Sequence, residues 1–240
     1  MKFLDLKEES LIGGEVRRHW YYRAKLAAVS AALGDMEPRA ALDVGSGSGF
    51  FPRELLRAGL LRSATCVDPG YPSDRDERAG GKPLLFRRQV ASSDAGLVMM
   101  MDVIEHVADD VGLVAEYAGK VAGGTRFLVT VPAFQWLWSG HDEFLQHHRR
   151  YTLRQLEATL RRGGLRVLGG SYFFGALFPL AAAARIAARL GRRGGEPQGQ
   201  MKTFGPVSNA VLLGICQAEM PFFRRNRIGG LTAMAWAVKP

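Results

Sequence analysis

The sequence has few cysteines and no long apolar run, and these two shortages exclude several classes of protein. Its 240 residues contain only Cys66 and Cys216, which provide neither a disulfide framework nor a metal-ligand spacing. The charge-free run at 172–184 is shorter than the ~20 residues that a membrane-spanning helix needs. Charged residues stand near the start of the chain, where a signal peptide would have an apolar segment. We therefore expect a cytoplasmic protein.

Acidic residues are scarce in the second part of the chain. Residues 151–240 contain 13 Lys and Arg but only three Glu, a net charge of +10. Residues 1–150 are almost balanced, with 19 basic and 20 acidic side chains, so the formal excess of +9 lies in the second part. This asymmetry indicates nucleic acid, an anionic membrane surface or an anionic substrate as a partner, or else a solvated basic face.

The rest of the composition is that of a globular protein of one domain, with 47% apolar and 23% charged residues. Short apolar strands alternate with helices, which predicts an α/β fold with a parallel sheet covered on both faces. The pattern predicts strands at 39–44, 64–67, 84–87, 97–101, 126–131, 165–168 and 231–238, and helices at 11–33, 51–58, 109–121, 152–162 and 207–217. Residues 69–83 are rich in Gly, Pro and charge, which predicts a loop.

A glycine-rich turn follows the first predicted strand and is the strongest functional signal. Its glycines, Gly45, Gly47 and Gly49, allow backbone to approach a ligand closely, and the next helix offers free N–H groups at its start. An acid, Asp43, stands inside the strand, and Asp68 follows about 20 residues later at the end of the second strand. Asp68 is therefore placed to accept hydrogen bonds from a ribose diol. The two features predict a nucleotide-binding fold, although the G-x-G-x-G spacing differs from the dinucleotide pattern.

At these residues the sequence resembles the class I S-adenosylmethionine-dependent methyltransferases, in particular their small-molecule and quinone-type branch. The segment 101–107, MDVIEHV, is similar to a motif that follows the fourth strand in that branch, and 19–23, HWYYR, is similar to an element that precedes the fold. The strings at 136–142 and 148–152 are also similar to bacterial members. The resemblance runs through about residues 11–170 and the closing strand. It implies a Rossmann-like, seven-stranded, mostly parallel sheet with helices on both faces.

The resemblance also implies S-adenosyl-L-methionine as the cofactor. The glycines would pass beneath its methionine and ribose, the acid in the first strand would engage its amino end, and the acid after the second strand its ribose hydroxyls. Asp102 would lie near the sulfonium, and Arg23 of the first helix could reach the cofactor carboxylate. The aromatic residues next to Arg23 could equally serve only to pack that helix. The segment after the second strand departs from the family pattern, so no adenine contact is assigned. The implied cofactor-binding residues are Arg23, Asp43, Gly45, Gly47, Gly49, Asp68 and Asp102.

Histidines are the candidate catalytic residues, because a hydroxyl acceptor must lose a proton and imidazole accepts one at neutral pH. His106 follows the fourth strand, and His141 and His147 follow the fifth, so all three are expected at the ligand-binding edge. Asp142 could orient a neighbouring imidazole. The alternative for His106 is a helix cap. We expect no metal, because the spacing of residues 141–148 matches no familiar ligand pattern.

Arg149, Arg150 and Tyr151 are candidate substrate-binding residues, since arginines can bind an anionic group bidentately. Pairing with surface acids is the alternative. About 60 residues separate the last two predicted strands, where the resembled fold has a hairpin. We therefore divide the chain into a core at 1–170, an apolar and basic helical insertion at 171–228, and a final core strand at 229–240. The insertion could be a lid, a contact in a homodimer, or an element lying on an anionic membrane.

These observations predict an enzyme that methylates a small, hydrophobic or lipid-linked acceptor, with oxygen as the expected acceptor atom, in the cytoplasm or at the inner face of the membrane. A nucleic-acid methyltransferase is the alternative within enzymes. The arginines lie among apolar helices rather than along a polar stripe, which argues against nucleic acid as a partner. A non-catalytic membrane-surface protein on the same scaffold is the alternative outside enzymes. The intact glycine turn and Asp68 argue against it.

Overall fold

The computed structural model describes residues 16–34, 37, 39–190 and 205–240, and of residues 188–190 only the backbone. The first part of the predicted helix 11–33 therefore lies outside the described residues. One mixed sheet dominates the fold, with strands in the order β3-β4-β2-β1-β5-β6-β8-β7. The strands are β1 (Arg39–Val44), β2 (Leu61–Val67), β3 (Arg75–Ala79), β4 (Lys82–Arg87), β5 (Leu97–Met101), β6 (Arg126–Pro132), β7 (Arg166–Phe173) and β8 (Thr232–Val238).

The central strands are parallel, as the alternating pattern predicts. Strand β1 pairs in parallel with β2 and β5, and the parallel ladder continues to β4 on one side and β6 on the other. Strands β3 and β8 run antiparallel to their neighbours. Because β8 lies between β6 and β7, those two strands point the same way, and the carboxyl ends of six parallel strands meet at one edge of the sheet.

The sheet contains eight strands rather than the predicted seven. The additional strand, β3, lies within 69–83, which the sequence analysis predicts to be a loop. Gly80 and Gly81 both have positive φ, +56° and +76°, which is the conformation of a two-residue hairpin turn. The turn joins β3 to β4 along the edge of the sheet. Charged side chains conceal this strand in the sequence, because four of its five residues are Arg, Asp or Glu.

Seven α-helices of five to 14 residues surround the sheet in the described part of the chain. Four of the predicted helices, 51–58, 109–121, 152–162 and 207–217, agree with the structure to within two residues at each end. The predicted helix 11–33 begins only at Trp20, because the described residues 16–19 are not helical. Thr152 caps its helix as predicted, by accepting a hydrogen bond from the Gln155 N–H. None of the helices that the structure describes is long and apolar enough to cross a bilayer. The helices are α1 (Trp20–Leu33), α2 (Phe50–Arg57), α3 (Asp110–Gly119), α4 (Gly140–Phe144), α5 (Leu153–Arg162), α6 (Phe178–Leu190) and α7 (Pro206–Glu219).

Two apolar layers hold the helices against the sheet. One layer joins α1, α2 and α7 to the sheet, and the other joins α3 and α5 to its opposite face. The strand residues at the centre are buried on both faces, since every residue of β5 is buried. A continuous apolar strand of this kind is expected where helices cover both faces of a parallel sheet.

The helix α7 is tied to the remainder of the fold by polar contacts at both ends. The Asn209 side chain accepts a hydrogen bond from the Trp20 N–H at 2.7 Å and donates one to the Arg18 carbonyl at 2.7 Å. At the other end, the Glu219 carboxylate accepts hydrogen bonds from the backbone N–H groups of Phe174 and Ala176. Strand β7 crosses residue 171, where the sequence analysis begins the insertion, and continues to Phe173. The sheet therefore extends three residues into the segment 171–228.

Candidate active site

The carboxyl end of β1 holds a buried carboxyl group. Asp43 is 2% exposed, and its Oδ2 accepts a hydrogen bond from the Ser46 hydroxyl. Its Oδ1 is buried without a hydrogen-bond partner in the described structure. Burial raises the pKa of Asp43 to about 7, the Ser46 hydrogen bond opposes the rise, and the nearby charge of Asp68 adds to it. An unpartnered buried oxygen of this kind is suited to a donor that a ligand brings.

The glycine turn after β1 requires its glycines for two physical reasons. Gly45 has φ +64°, and a Cβ atom there would lie 2.8 Å from a methyl carbon of Val103. Gly49 has φ +74°, and its Cβ would lie 3.0 Å from the ring of Phe86. Both the left-handed backbone and the lack of space exclude a side chain. The turn therefore brings backbone close to the tips of the neighbouring strands.

The second acid of the predicted cofactor site meets this turn directly. The Gly47 N–H donates a hydrogen bond to Asp68 Oδ2 at 3.3 Å, and the Gly70 N–H donates one to Asp68 Oδ1 at 2.9 Å. The Tyr71 hydroxyl donates to the Gly47 carbonyl at 2.7 Å. The predicted convergence of the glycine turn with Asp68 is thus present in the structure. The sequence pattern does not indicate Tyr71, which lies in the segment 69–83 that it predicts to be a loop.

Asp102 stands at the tip of β5 in a left-handed conformation, with φ +55°. Its carboxylate forms an ion pair with Lys25 and accepts a hydrogen bond from the Thr130 hydroxyl at 3.0 Å. Burial alone would raise the pKa of Asp102, but the charge and hydrogen bond of Lys25, together with Thr130, lower it below its ordinary value. The carboxylate is therefore held in its charged form beside the glycine turn.

Lys25 is a second residue of this region that the sequence pattern does not indicate. It is 1% exposed and lies on α1 among buried apolar residues. The available signal was a single lysine within the apolar face of a helix, which requires a partner when buried. Arg23, which the resemblance implies as a carboxylate contact, is an exposed residue of the same helix. Its role remains a prediction.

A second group of polar residues surrounds Asp142, which is completely buried. His147 Nδ1 lies 2.9 Å from Asp142 Oδ1, and Arg150 Nε donates to the same oxygen at 2.6 Å. A second guanidinium nitrogen of Arg150 and the Ser139 N–H donate to Oδ2. Burial by itself would raise the pKa of Asp142, but the hydrogen bonds from His147 and Arg150 lower it well below its ordinary value. The pairing of a carboxylate with a histidine was predicted for Asp142, and here its partner is His147.

His147 faces His106 across the tips of β5 and β6. Their ring centroids are 4.6 Å apart at an angle of 66°. Burial, followed by the charge of His147, lowers the pKa of His106 to about 3, so the ring is neutral. Glu105 lies beside them, completely buried, and neither of its carboxylate oxygens has a hydrogen-bond partner in the described structure. Burial, and then the charge of Asp102, raise the pKa of Glu105 well above its ordinary value.

Glu105 was not predicted as a site residue, although it belongs to the segment 101–107 that carries the resemblance. The sequence places Glu105 as a single acid in a short turn after the fourth strand, and nothing in the sequence indicates that it is buried. His141 is a half-buried residue of α4, next to Asp142 in the chain, and it is not a member of the cluster that Glu105 forms with His106 and His147. His148 is exposed.

The three predicted substrate-binding residues make contacts inside the protein. Arg149 donates to the Ala108 carbonyl at 2.7 Å and pairs with Asp110 at 3.3 Å. The Tyr151 hydroxyl donates to Asp110 Oδ2 at 2.8 Å, and the Arg150 guanidinium is directed to Asp142. These contacts anchor the segment after β6 to the start of α3. They favour a structural role for the three residues, because their donors are already engaged.

Comparison with solved structures establishes the fold. A protein described as a methyltransferase, in complex with the Haloferax volcanii Trm112 methyltransferase activator, superposes with a TM-score of 0.58 at 18% identity, over 100% of this chain and 98% of that one. Haemonchus contortus phosphoethanolamine N-methyltransferase 2 with bound S-adenosyl-L-methionine gives 0.55 at 14%, over 100% of this chain and 60% of that one. The 4+2 cyclase SpnF gives 0.54 at 16%, over 92% and 82%.

Sequence comparisons add no nearer relative. No family model matches the chain, and no curated protein matches it. The fold is therefore the Rossmann-like fold that S-adenosylmethionine-dependent methyltransferases adopt, as predicted. Because the solved structures share less than a fifth of their residues with this chain and include a cyclase, the reaction has to be argued from the site.

Proposed function

We propose that the protein is an S-adenosyl-L-methionine-dependent methyltransferase that methylates a hydroxyl group of a small, hydrophobic or lipid-linked acceptor. One observation carries the proposal: the glycine turn and Asp68 lie in hydrogen-bond contact at adjacent strand tips, with the unpartnered Asp43 oxygen beside them. In a parallel α/β sheet this edge is where nucleotide ligands bind. The methyltransferases among the similar structures support the proposal of a methyltransferase.

The residues present fit the cofactor. Asp68 has lone pairs left for ribose hydroxyls after its two backbone contacts. Asp43 offers a buried oxygen to an ammonium group, and the ionised Asp102 offers negative charge near a sulfonium. The glycines at 45, 47 and 49 allow the turn to pass beneath the ligand. Bound there, the cofactor supplies a methyl group on positively charged sulfur, and the protein has to align the acceptor with it and exclude water.

His147 is the residue through which we propose that the acceptor loses its proton. Its Nδ1 is engaged by Asp142, which fixes the orientation of the ring and leaves Nε2 for the acceptor or for a group that activates it. The ring of His106 lies 4.6 Å from that of His147, and the charge of Asp102 acts on His106. Methylation at oxygen is favoured because an oxygen nucleophile requires this loss of a proton, whereas a neutral amine does not.

The test of this proposal is calorimetric titration with S-adenosyl-L-methionine. We expect the wild-type protein to bind it and Asp68→Asn to bind at least about tenfold more weakly, because a charge-assisted pair of hydrogen bonds to the ribose contributes 1.4 kcal/mol or more. Asp76→Asn, a change of an exposed acid on β3, is the matched control and should bind like the wild type. Failure of the wild-type protein to bind the cofactor would overturn the proposal.

A lipid-linked acceptor is supported by the surface formed by residues 222–228. Phe222 is 69% exposed and Ile228 is 95% exposed, and Arg224 and Arg225 between them are exposed as well. Exposed apolar side chains on either side of arginines suit the interface of an anionic bilayer. We therefore propose peripheral contact with an anionic membrane at this surface, with the enzyme at the inner face of the membrane.

A further inference from the structure

Glu105, His106 and His147 form a cluster of ligand atoms at the tips of β5 and β6. One carboxylate oxygen and one nitrogen from each imidazole all lie within 4.8 Å of one another. Bonds of about 2 Å to a divalent ion place such atoms about 3–4 Å apart, so the side chains would have to close by about 1 Å. Rotation of three side chains about their own torsions can supply a movement of this size.

The cluster contains buried polar atoms that have no partner. Both oxygens of Glu105 and Nδ1 of His106 are buried without a hydrogen bond in the described structure, and the Glu105 side chain is completely buried. A buried polar group without a partner is costly, so most such groups in folded proteins have one. Glu105 and His106 thus both carry unpartnered buried acceptor atoms and both belong to the cluster, which points to a cation that the cluster can bind.

The charges around the cluster favour a cation as well. Lys25 and Arg150 are the basic groups whose charges act on Glu105, and each is already paired with a carboxylate, Asp102 and Asp142 respectively. Among the described residues no basic side chain forms an ion pair with Glu105, so its ionised form lacks a compensating charge. A divalent ion bound to it would neutralise that charge at a place where water is largely excluded.

Asp142 supplies the support that a metal-binding histidine requires. It holds His147 by Nδ1 at 2.9 Å, which leaves Nε2 for an ion. Histidines that bind metals donate their second ring nitrogen to a carboxylate or a backbone carbonyl in this way. The Leu145 carbonyl is placed to accept such a bond from the His106 ring.

We propose that Glu105, His106 and His147 bind a divalent transition-metal ion. Two imidazoles and one carboxylate form a donor set that suits ions such as Zn²⁺ or Co²⁺ better than Mg²⁺, which prefers oxygen. Three protein ligands leave positions open for an acceptor. The inference rests on the proposed function only for the role of the ion: with Nε2 of His147 bound to it, the ion in place of the imidazole would promote loss of the acceptor's proton, by lowering the pKa of a hydroxyl group bound to it.

Metal binding can be measured without cofactor or acceptor. We would titrate the metal-free protein with Co²⁺, follow the visible absorption bands of the bound ion, and displace it with Zn²⁺. We expect one equivalent to bind to the wild type. Glu105→Gln and His147→Ala should weaken binding by at least about tenfold, and Asp142→Asn by about 10–100-fold through the loss of orientation of His147.

His148→Ala is the matched control, because it removes an exposed histidine next to His147 in the chain. Circular dichroism of each metal-free variant shows whether it is folded. If another variant does not fold, Glu105→Gln still provides the test, because it leaves the side-chain volume almost unchanged. Binding that is absent from the wild type, or equal in the folded ligand variants and His148→Ala, would overturn the inference. Either result leaves cofactor binding unaffected, so failure here is distinguishable from failure of the methyltransferase proposal, which is tested with S-adenosyl-L-methionine.

Discussion

Burial of Asp43, which we propose binds the cofactor, makes the stability of the folded protein depend on pH. Its carboxyl group is buried at the tip of β1, and one of its oxygens has no hydrogen-bond partner among the described residues. Because burial raises its pKa to about 7, the folded protein retains a proton that the unfolded chain loses near the ordinary value of 3.8. The contribution of this group to stability is therefore complete below pH 4 and is lost as the pH rises through about 7.

Asp43→Asn should remove this dependence on pH. Each unit of difference in pKa corresponds to about 1.4 kcal/mol, so the free energy of unfolding of the wild type should fall relative to that of Asp43→Asn by up to about 3 kcal/mol between pH 5 and pH 8. Urea unfolding at a series of pH values measures this difference. Asp76→Asn serves as the control, and its profile should parallel that of the wild type. A constant difference between Asp43→Asn and the wild type across the range would contradict the account.

How much of the site could be predicted depends on how far apart in the chain its members lie. Asp43, Gly47 and Asp68 follow from the sequence, because parallel strands end at the same edge. The ion pair of Lys25 with Asp102 joins residues 77 positions apart, and no local pattern specifies such a pair. Glu105 was missed because an acid in a short turn usually faces solvent, whereas here the segment after β6 covers it.

At the scale of elements, the turn after β1 combines backbone strain with close packing. Gly45 requires a positive φ and also lies against the Val103 side chain, whereas Gly81, in the turn between β3 and β4, has φ +76° with open space around it. A substitution at Gly81 therefore meets only the backbone strain, whereas a substitution at Gly45 meets both the strain and the close packing. Comparison of the same substitution at both positions measures what the packing alone contributes.

Gly45→Ala should destabilise the protein more than Gly81→Ala. The left-handed backbone costs an alanine about 1–2 kcal/mol at either position, and the contact with Val103 adds about 1–3 kcal/mol at Gly45. Denaturant unfolding of both variants provides the measurement. Addition of Val103→Ala to Gly45→Ala should recover part of the loss. Equal destabilisation by the two glycine substitutions would be inconsistent with the packing described.

Non-glycine residues in the left-handed region mark the same edge of the sheet. Asp102 follows β5, Phe134 lies two residues after β6, and Phe174 follows β7, with φ values of +55°, +59° and +60°. Such residues are uncommon and cost energy, and they are concentrated at functional sites. The sequence pattern predicts the ends of β5 and β6 to within one residue, but it ends the sixth predicted strand at 168, five residues before Phe173. It cannot show the conformation of the residues that follow. Strand β3 was missed for a different reason, since its charges conceal a hairpin that Gly80 and Gly81 specify.

At the scale of the whole molecule, arginines of the basic second part of the chain lie next to exposed apolar residues at 222–228. If this surface contacts anionic lipid, the protein should float with vesicles that contain phosphatidylserine and less with neutral ones. Binding should weaken as salt rises, because ions screen the attraction of headgroups for arginine. Ile228→Ser and Arg225→Gln should each reduce flotation severalfold.

Leu168→Ser is the control for this experiment, because Leu168 is also exposed, at 43%, but lies on β7 rather than at 222–228. It should float like the wild type. Flotation that is insensitive to salt and equal in all variants would contradict contact through this surface. The exposed apolar residues would then have to be explained by a partner of another kind.

The position of β8 has a consequence for how the molecule is made. Strands β6 and β7 are separated by one strand's width, and the segment that occupies this place, Thr232–Val238, is produced about 60 residues after β7. During synthesis on the ribosome, β7 is made before β8, but in the described sheet it pairs only with β8, so it cannot join the sheet until β8 has emerged. Insertion of β8 then pairs it with β6 and β7 in one event, and we expect β7 and β8 to become ordered late and together.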